Sequence, residues 1–98
     1  MIIEGKTKSG FKFKIDDRIL DDWRLIDAIG LSESDDASEQ IRGMRDLVRL
    51  VIGGQFDALK KYIADKNDGY IPSKKVTDLI IEIVNTSKEL KNSPSSEG

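Results

Sequence analysis

The first fifteen residues alternate between apolar and polar side chains, a period of two that is typical of a β-strand with one buried face. Ser9-Gly10 supplies a turn between this stretch and an earlier one that holds Met1 and Ile3. The sequence therefore predicts an N-terminal β-hairpin over residues 1–15. The apolar members of the second strand are Phe11, Phe13 and Ile15, and its polar members are Lys12 and Lys14.

After residue 15 the apolar spacing changes to three and four, which predicts amphipathic helices. The first predicted helical segment covers residues 16–30, and Trp23, Ile26 and Ile29 share one of its faces. A second segment runs from residue 37 to the Gly53-Gly54 pair, which breaks it. The last two segments are residues 56–66 and 73–90, and an Asn-Asp-Gly turn separates them.

These elements predict an α+β fold in which the N-terminal β-hairpin packs on a small bundle of about four helices. We expect a single domain over residues 1–90, with the hairpin at 1–15 and the helices at 16–90. Residues 91–98 are rich in serine and lack large apolar side chains. They are predicted to form a disordered C-terminal tail.

The second helix carries more apolar surface than a surface helix needs. Its main stripe has spacings of 4, 3, 4 and 3 and consists of Ala37, Ile41, Met44, Val48 and Val51. If this stripe faces the core, Leu47 and Leu50 lie toward its edge. We therefore predict that Leu47 and Leu50 bind a partner, and self-association would explain them equally well.

Composition narrows the classes of function. The chain has 98 residues, 38% of them hydrophobic and 35% charged, and it contains neither Cys nor His. Disulfides, thiolate chemistry and the usual near-neutral general base are thereby excluded. No apolar run is long enough for a membrane helix, and the first residues lack a signal-peptide pattern, so we expect a cytoplasmic protein with no membrane partner.

The net charge is −2 but is unevenly distributed. Residues 1–15 carry four Lys and one Glu, whereas residues 16–40 carry nine acids and two Arg. A dedicated nucleic-acid binder usually has a clear basic excess, so nucleic acid is not an expected partner. Arg42, Arg45 and Arg49 form one basic ridge at helical spacing, which is either a solvated face or a contact for a partner.

The candidate chemical sites have simpler interpretations. Four acids at 16, 17, 21 and 22 could do acid–base work, but helix capping accounts for them. Residues 65–69 resemble a calcium loop whose glycine falls at the wrong position, so a plain turn is predicted. The lysines of the hairpin point away from its aromatic face and cannot build a stacking platform with it. We expect no enzyme activity, cofactor or metal.

Assembled in order, these segments resemble the tail assembly chaperones of long-tailed bacteriophages, especially those of Gram-positive hosts. The similarity spans nearly the whole chain. It rests on the hairpin leading into Asp22-Trp23 with the apolar pair Leu25-Ile26, then the acidic loop, the double glycine, Asp68-Gly69-Tyr70-Ile71-Pro72 and the serine-rich ending. Trp23 matches the family, and a single Trp on a helical face is expected in the core.

The resemblance implies that the protein binds the tape measure protein, keeps it soluble and helps recruit tail tube subunits. It implies action in the host cell cytoplasm and absence from the mature virion. Family members often have a longer form made by ribosomal frameshifting. Leu90-Lys91-Asn92 can be encoded by a slippery run, and an ordinary tail without recoding is the alternative. Two other functions stay open: a small nucleic-acid-binding regulator and a structural head-tail joining subunit.

Overall fold

The computed structural model describes residues 1–92 and begins with the predicted hairpin. Strands β1 (Ile2–Lys6) and β2 (Lys12–Asp16) are antiparallel, and Ile3 pairs with Ile15. Ile3, Phe13 and Ile15 are buried and the lysines of both strands are exposed, as the alternation predicts, whereas Met1 is exposed. The Phe11 N–H donates to the buried hydroxyl of Thr7 at 3.0 Å, which closes the hairpin beside its turn.

Helices make up most of the rest, so the α+β layout is confirmed. A short 3-10 helix at Asp17–Asp21 stands where the sequence predicts the start of the first helix. A π-helical segment at Val48–Ile52 continues the second helix. The α-helices are α1 (Trp23–Ser32), α2 (Ala37–Leu47), α3 (Phe56–Lys66) and α4 (Ser73–Asn92).

Helix α4 extends two residues into the predicted tail. Lys91 lies in its last turn, with its Nζ 3.9 Å from a carboxylate oxygen of Asp17 and 4.0 Å from one of Asp21. The rest of the predicted tail, residues 93–98, lies outside the described part of the chain. Residues 90–92, where a ribosomal frameshift is expected, are the last residues of α4.

Helices α1 and α2 form a hairpin in which both N-termini are capped by aspartate. The Asp22 carboxylate accepts from the Arg24 N–H at 2.9 Å, and the Asp36 carboxylate accepts from the Glu39 N–H at 3.0 Å. Each cap satisfies a backbone donor that the first helical turn leaves free. Gly43 lets the two helices approach closely, because a Cβ there would lie 2.3 Å from the backbone nitrogen of Ser32.

The buried face of α1 is not the predicted one. Leu25, Ala28 and Ser32 are buried, whereas Trp23 is 73% and Ile26 49% exposed. The close approach at Gly43 explains the difference, since a small side chain such as Ala28 fits against a neighbouring backbone and an indole does not. The expectation that Trp23 lies in the core is therefore wrong.

One apolar core joins the hairpin to all the helices. The β1 strand lies against α4, where Gly5 leaves room for the side chains of Phe13 and Leu90. The hairpin turn is held by a hydrogen bond from the Tyr62 hydroxyl to Ser9 at 2.6 Å. The largest fully buried apolar side chains are Leu25, Leu47, Leu59, Ile80, Ile83 and Val84. Within residues 1–92, every helix is too short or too polar to cross a membrane.

Candidate partner-binding groove

An open apolar groove of about 490 Å³ lies between the outer face of α2 and the start of α4. We call it the α2–α4 groove. Its surface is mostly carbon, with two arginines among the lining side chains. Ile41 in this lining is 53% exposed, so apolar area is available to a partner. The lining residues are Ile41, Met44, Arg45, Val48, Arg49, Phe56, Ile71, Ser73 and Val76.

Ile41, Met44 and Val48 of the predicted apolar stripe therefore line the groove, whereas Val51 at the end of that stripe is buried in the core. Leu47 is fully buried, together with Gly43 one turn earlier, and Leu50 is half-buried. The expectation that Leu47 lies at an exposed edge is wrong, and it offers no area to a partner in this structure. The physical reason is the glycine contact with α1, which turns the Gly43–Leu47 side of α2 inward.

The π-helical segment shapes one end of the groove. Its wider turn buries Val51 and Ile52 while Val48 and Arg49 line the groove. Gly53 ends the segment with a φ of +50°, a conformation that favours glycine. Phe56 then begins α3 and contributes its ring to the groove. Such π-turns inside helices frequently occur at functional sites.

The opposite wall comes from the α3–α4 connection. There the chain reverses through Asp68 and Gly69, whose φ values are +56° and +84°. The Gly69 N–H donates to the Ala64 carbonyl at 2.8 Å, which satisfies an acceptor at the end of α3. The predicted plain turn is confirmed, and it brings Ile71 to the groove beside Val76.

Two of the three arginines in the predicted basic ridge line the groove. Arg49 lies 3.4 Å from the Asp46 carboxylate, an exposed and therefore weak ion pair. Arg45 has no ion pair within residues 1–92. Arg42 is exposed on the same helix but is not part of the lining. The groove thus combines an apolar floor with positive charge along one side.

The acidic cluster is engaged in capping and ion pairs. Asp16 accepts from the backbone and side chain of Arg18, and these hydrogen bonds hold the pKa of its carboxyl well below the usual range. The same arrangement with Arg24 lowers the pKa of Asp22 to about 2. Asp17 pairs with the N-terminal amine at 3.1 Å. Residues 1–92 contain no group of three or more side chains placed to hold a metal ion.

The hairpin offers no aromatic platform to a nucleic acid. Phe11 and Phe13 are 6% and 2% exposed, whereas Lys12 and Lys14 project into solvent on the other face. Bases cannot stack on buried rings. The outer edge of β2 is partly covered, because the Gln55 side chain exchanges two hydrogen bonds of 2.8 Å with the backbone of Lys14.

The sequence patterns did not indicate that five of the groove residues belong to a binding site: Ile41, Met44, Phe56, Ile71 and Val76. Gly43 is the signal that could have identified the two on α2, since a glycine inside a helix often marks the face that approaches a neighbour. Comparisons with known proteins add nothing to this picture: no family model, no curated protein and no solved structure matches the chain.

Proposed function

We propose that this chain is a non-catalytic tail assembly chaperone of a long-tailed bacteriophage, and that it binds an apolar segment of the tape measure protein in the α2–α4 groove. The observation that supports the proposal is the groove itself, an exposed apolar surface edged by Arg45 and Arg49. Exposed apolar patches with polar rims are typical of protein-binding sites.

The shape and charge of the groove favour one kind of ligand. An amphipathic helix can lay its apolar face between two packed helices, and its flanking side chains then meet the rim. Arginines at the rim favour acidic flanks, because a like-charged flank would be repelled. The client segment is therefore an amphipathic helix with acidic residues beside its apolar stripe.

The identity of the client comes from the sequence resemblance, not from the groove. Through that resemblance we also propose recruitment of tail tube subunits, action in the host cell cytoplasm and absence from the mature virion. A long client with many apolar segments would aggregate if these segments stayed exposed. Reversible binding of these apolar segments requires a groove but no catalytic residues.

Co-expression with the tape measure protein of the same phage tests the proposal. The measurement is the fraction of tape measure protein that stays in the supernatant after centrifugation, with and without this chain. We expect the fraction to rise with the wild-type chain. No rise would overturn the proposed function.

A matched pair of variants tests the groove. Ile41→Asp places a charge in the groove, whereas Ile26→Asp places it on α1 at a similar exposure, 49% against 53%. A charge facing an apolar ligand is costly unless it is paired. We expect the Ile41 variant to lose the solubilising effect and the Ile26 variant to keep it. Equal effects of the two variants would show that another surface binds the client.

A further inference from the structure

The outer face of the hairpin carries positive charge that the fold does not use. Lys6, Lys12 and Lys14 are exposed on this face, and they have no ion pair within residues 1–92. Lys6 lies directly opposite Lys12, whereas Glu4 lies opposite Lys14. Like charges directly opposite each other destabilise a sheet, so a negatively charged partner would relieve a cost that the free chain bears.

The outer edge of β2, which we call the β2 edge, presents backbone groups beside these lysines. In an antiparallel pair, successive residues direct their N–H and C=O groups to opposite edges of the strand. Those of Lys14 point to the outer edge, where they bond to Gln55, so those of Lys12 point the same way. Within residues 1–92, the backbone N–H and C=O of Lys12 have no hydrogen-bond partner.

Gln55 indicates which chemistry the β2 edge accepts. A glutamine side chain ends in an amide, with the same donor and acceptor as a peptide group. Its oxygen accepts from the Lys14 N–H and its nitrogen donates to the Lys14 carbonyl, both at 2.8 Å. A residue of a neighbouring antiparallel strand makes the same pair of bonds. Gln55 therefore takes the place of one strand residue, and the position beside Lys12 stays open.

A shallow hollow of about 400 Å³ lies beside the β2 edge, between β2 and α3. Lys12 belongs to one side of the hollow, and Ala58 and Tyr62 belong to the other. Ala58 is exposed and its side chain is small, so a strand laid along β2 has room above α3. Side chains of such a strand alternate between the two faces of the sheet. One set would meet the lysines and the other would lie over α3.

We propose that the β2 edge binds an extended peptide segment of a partner protein as a third strand, and that this segment alternates acidic and apolar side chains. Its acidic side chains face Lys12 and Lys14, and Gln55 moves away when the segment pairs with Lys14. Peptides that extend a sheet gain affinity from backbone hydrogen bonds and specificity from alternate side chains. The site shares no residue with the lining of the α2–α4 groove, so it does not depend on the proposed function.

Charge and hydrogen bonding disfavour other occupants of the β2 edge. The β2 strand of a second copy would bring its own lysines against Lys12 and Lys14, and like charges repel there. A nucleic acid has no backbone amides for the edge, and it finds no ring to stack on because Phe11 and Phe13 are buried. An acidic strand matches both the charge and the free backbone groups.

Fluorescence anisotropy with a labelled synthetic peptide tests the proposal on the purified chain. The probe alternates glutamate and valine over about six residues, the usual length of a strand. We expect saturable binding, together with slower hydrogen exchange of the Lys12 amide. A peptide of the same sequence with methylated backbone nitrogens keeps the charge but loses the donors, and a peptide with lysine in place of glutamate reverses the charge. Both should bind at least tenfold more weakly.

Variants of the chain locate the site. Lys12→Glu with Lys14→Glu should weaken binding of the glutamate–valine peptide at least tenfold. Lys74→Glu with Lys75→Glu makes the same change in net charge on α4 and should leave binding unchanged. Gln55→Ala should strengthen binding about fivefold, because the peptide no longer competes for the backbone of Lys14. Circular dichroism checks that each variant is folded.

Three results would overturn the proposal. The first is no binding of the glutamate–valine peptide, and the second is equal binding of its methylated form, which would show attraction by charge without strand pairing. The third is equally tight binding of a short oligothymidylate, which would make the lysines a general site for polyanions. Unchanged or weaker binding by Gln55→Ala would contradict the displacement of Gln55.

Discussion

The packing of α1 on α2 can be tested by adding a single methyl group. In Gly43→Ala the new Cβ would lie 2.3 Å from the Ser32 nitrogen and 2.7 Å from the Ala28 carbonyl oxygen. Ordinary contact begins at 3.4 Å. The atoms in the way belong to the backbone, so no side chain can rotate aside and the helices must separate.

Two opposing effects set the magnitude. Overpacking a tight contact costs about 1–3 kcal/mol, and the backbone neighbours place this case at the upper end. Alanine gains about 1 kcal/mol over glycine inside a helix, which offsets part of the cost. The expected net loss is about 2 kcal/mol. For a domain of this size, that lowers Tm by about 8–16 °C.

Gly30→Ala is the matched control. Gly30 also lies within a helix, but a Cβ there would have no neighbour within 4 Å. We expect this variant to be more stable than the wild type by up to about 1 kcal/mol. Thermal unfolding followed by circular dichroism at low protein concentration measures both variants. A Gly43 variant at least as stable as the wild type would refute the helix packing described here.

Three further substitutions test the core and a helix cap. Leu47→Ala should lower the free energy of unfolding in urea by about 2–5 kcal/mol, because Leu47 is fully buried. Leu50→Ala should lower it by less, because Leu50 is half-buried. Equal losses would contradict the orientation of α2. Hydrogen bonds from Arg24 lower the pKa of the Asp22 carboxyl to about 2. The ionised carboxylate therefore stabilises the fold fully above the unfolded-state pKa of about 3.9, and this stabilisation is lost as the pH falls toward 2. Asp22→Asn should therefore flatten the stability profile between about pH 4 and pH 2, and an unchanged profile would show that the pair with Arg24 does not form.

Apart from the exposed Met1, the hairpin could be predicted from the sequence, because a period of two leaves only one choice of buried face. Phe13 and Ile15 are buried as expected, and Ile3 lies opposite Ile15. The four-acid cluster was also interpreted correctly in part, since Asp16 and Asp22 cap helical turns. In both cases the interactions are local, so the sequence contains the information.

The orientation of the helices could not be predicted in the same way. Along α2 and its continuation, the predicted stripe through Ile41, Met44 and Val48 is adjacent to the stripe of Gly43 and Leu47, and apolar periodicity alone favours the first, which holds more apolar side chains. The contact of Gly43 with α1 selects the other stripe for the core. This contact is tertiary, and it determines both the exposure of Trp23 and the existence of the groove.

The groove arginines show how local and tertiary information combine. The sequence predicts one basic ridge on the second helix. The structure places Arg45 and Arg49 at the groove and leaves Arg42 outside its lining. The opposite wall, from Ile71 to Val76, is distant in sequence and could be assigned only once the α3–α4 turn was known.

Site-specific photo-cross-linking in cells that produce the tape measure protein tests the central claim most directly. A benzophenone side chain is introduced at Ile41 inside the groove or, as the control, at Lys61, an exposed position on α3 outside its lining. The account predicts an adduct with the tape measure protein from position 41 and little or none from position 61. An adduct from position 61 with none from position 41, or equal adducts from both, would contradict it.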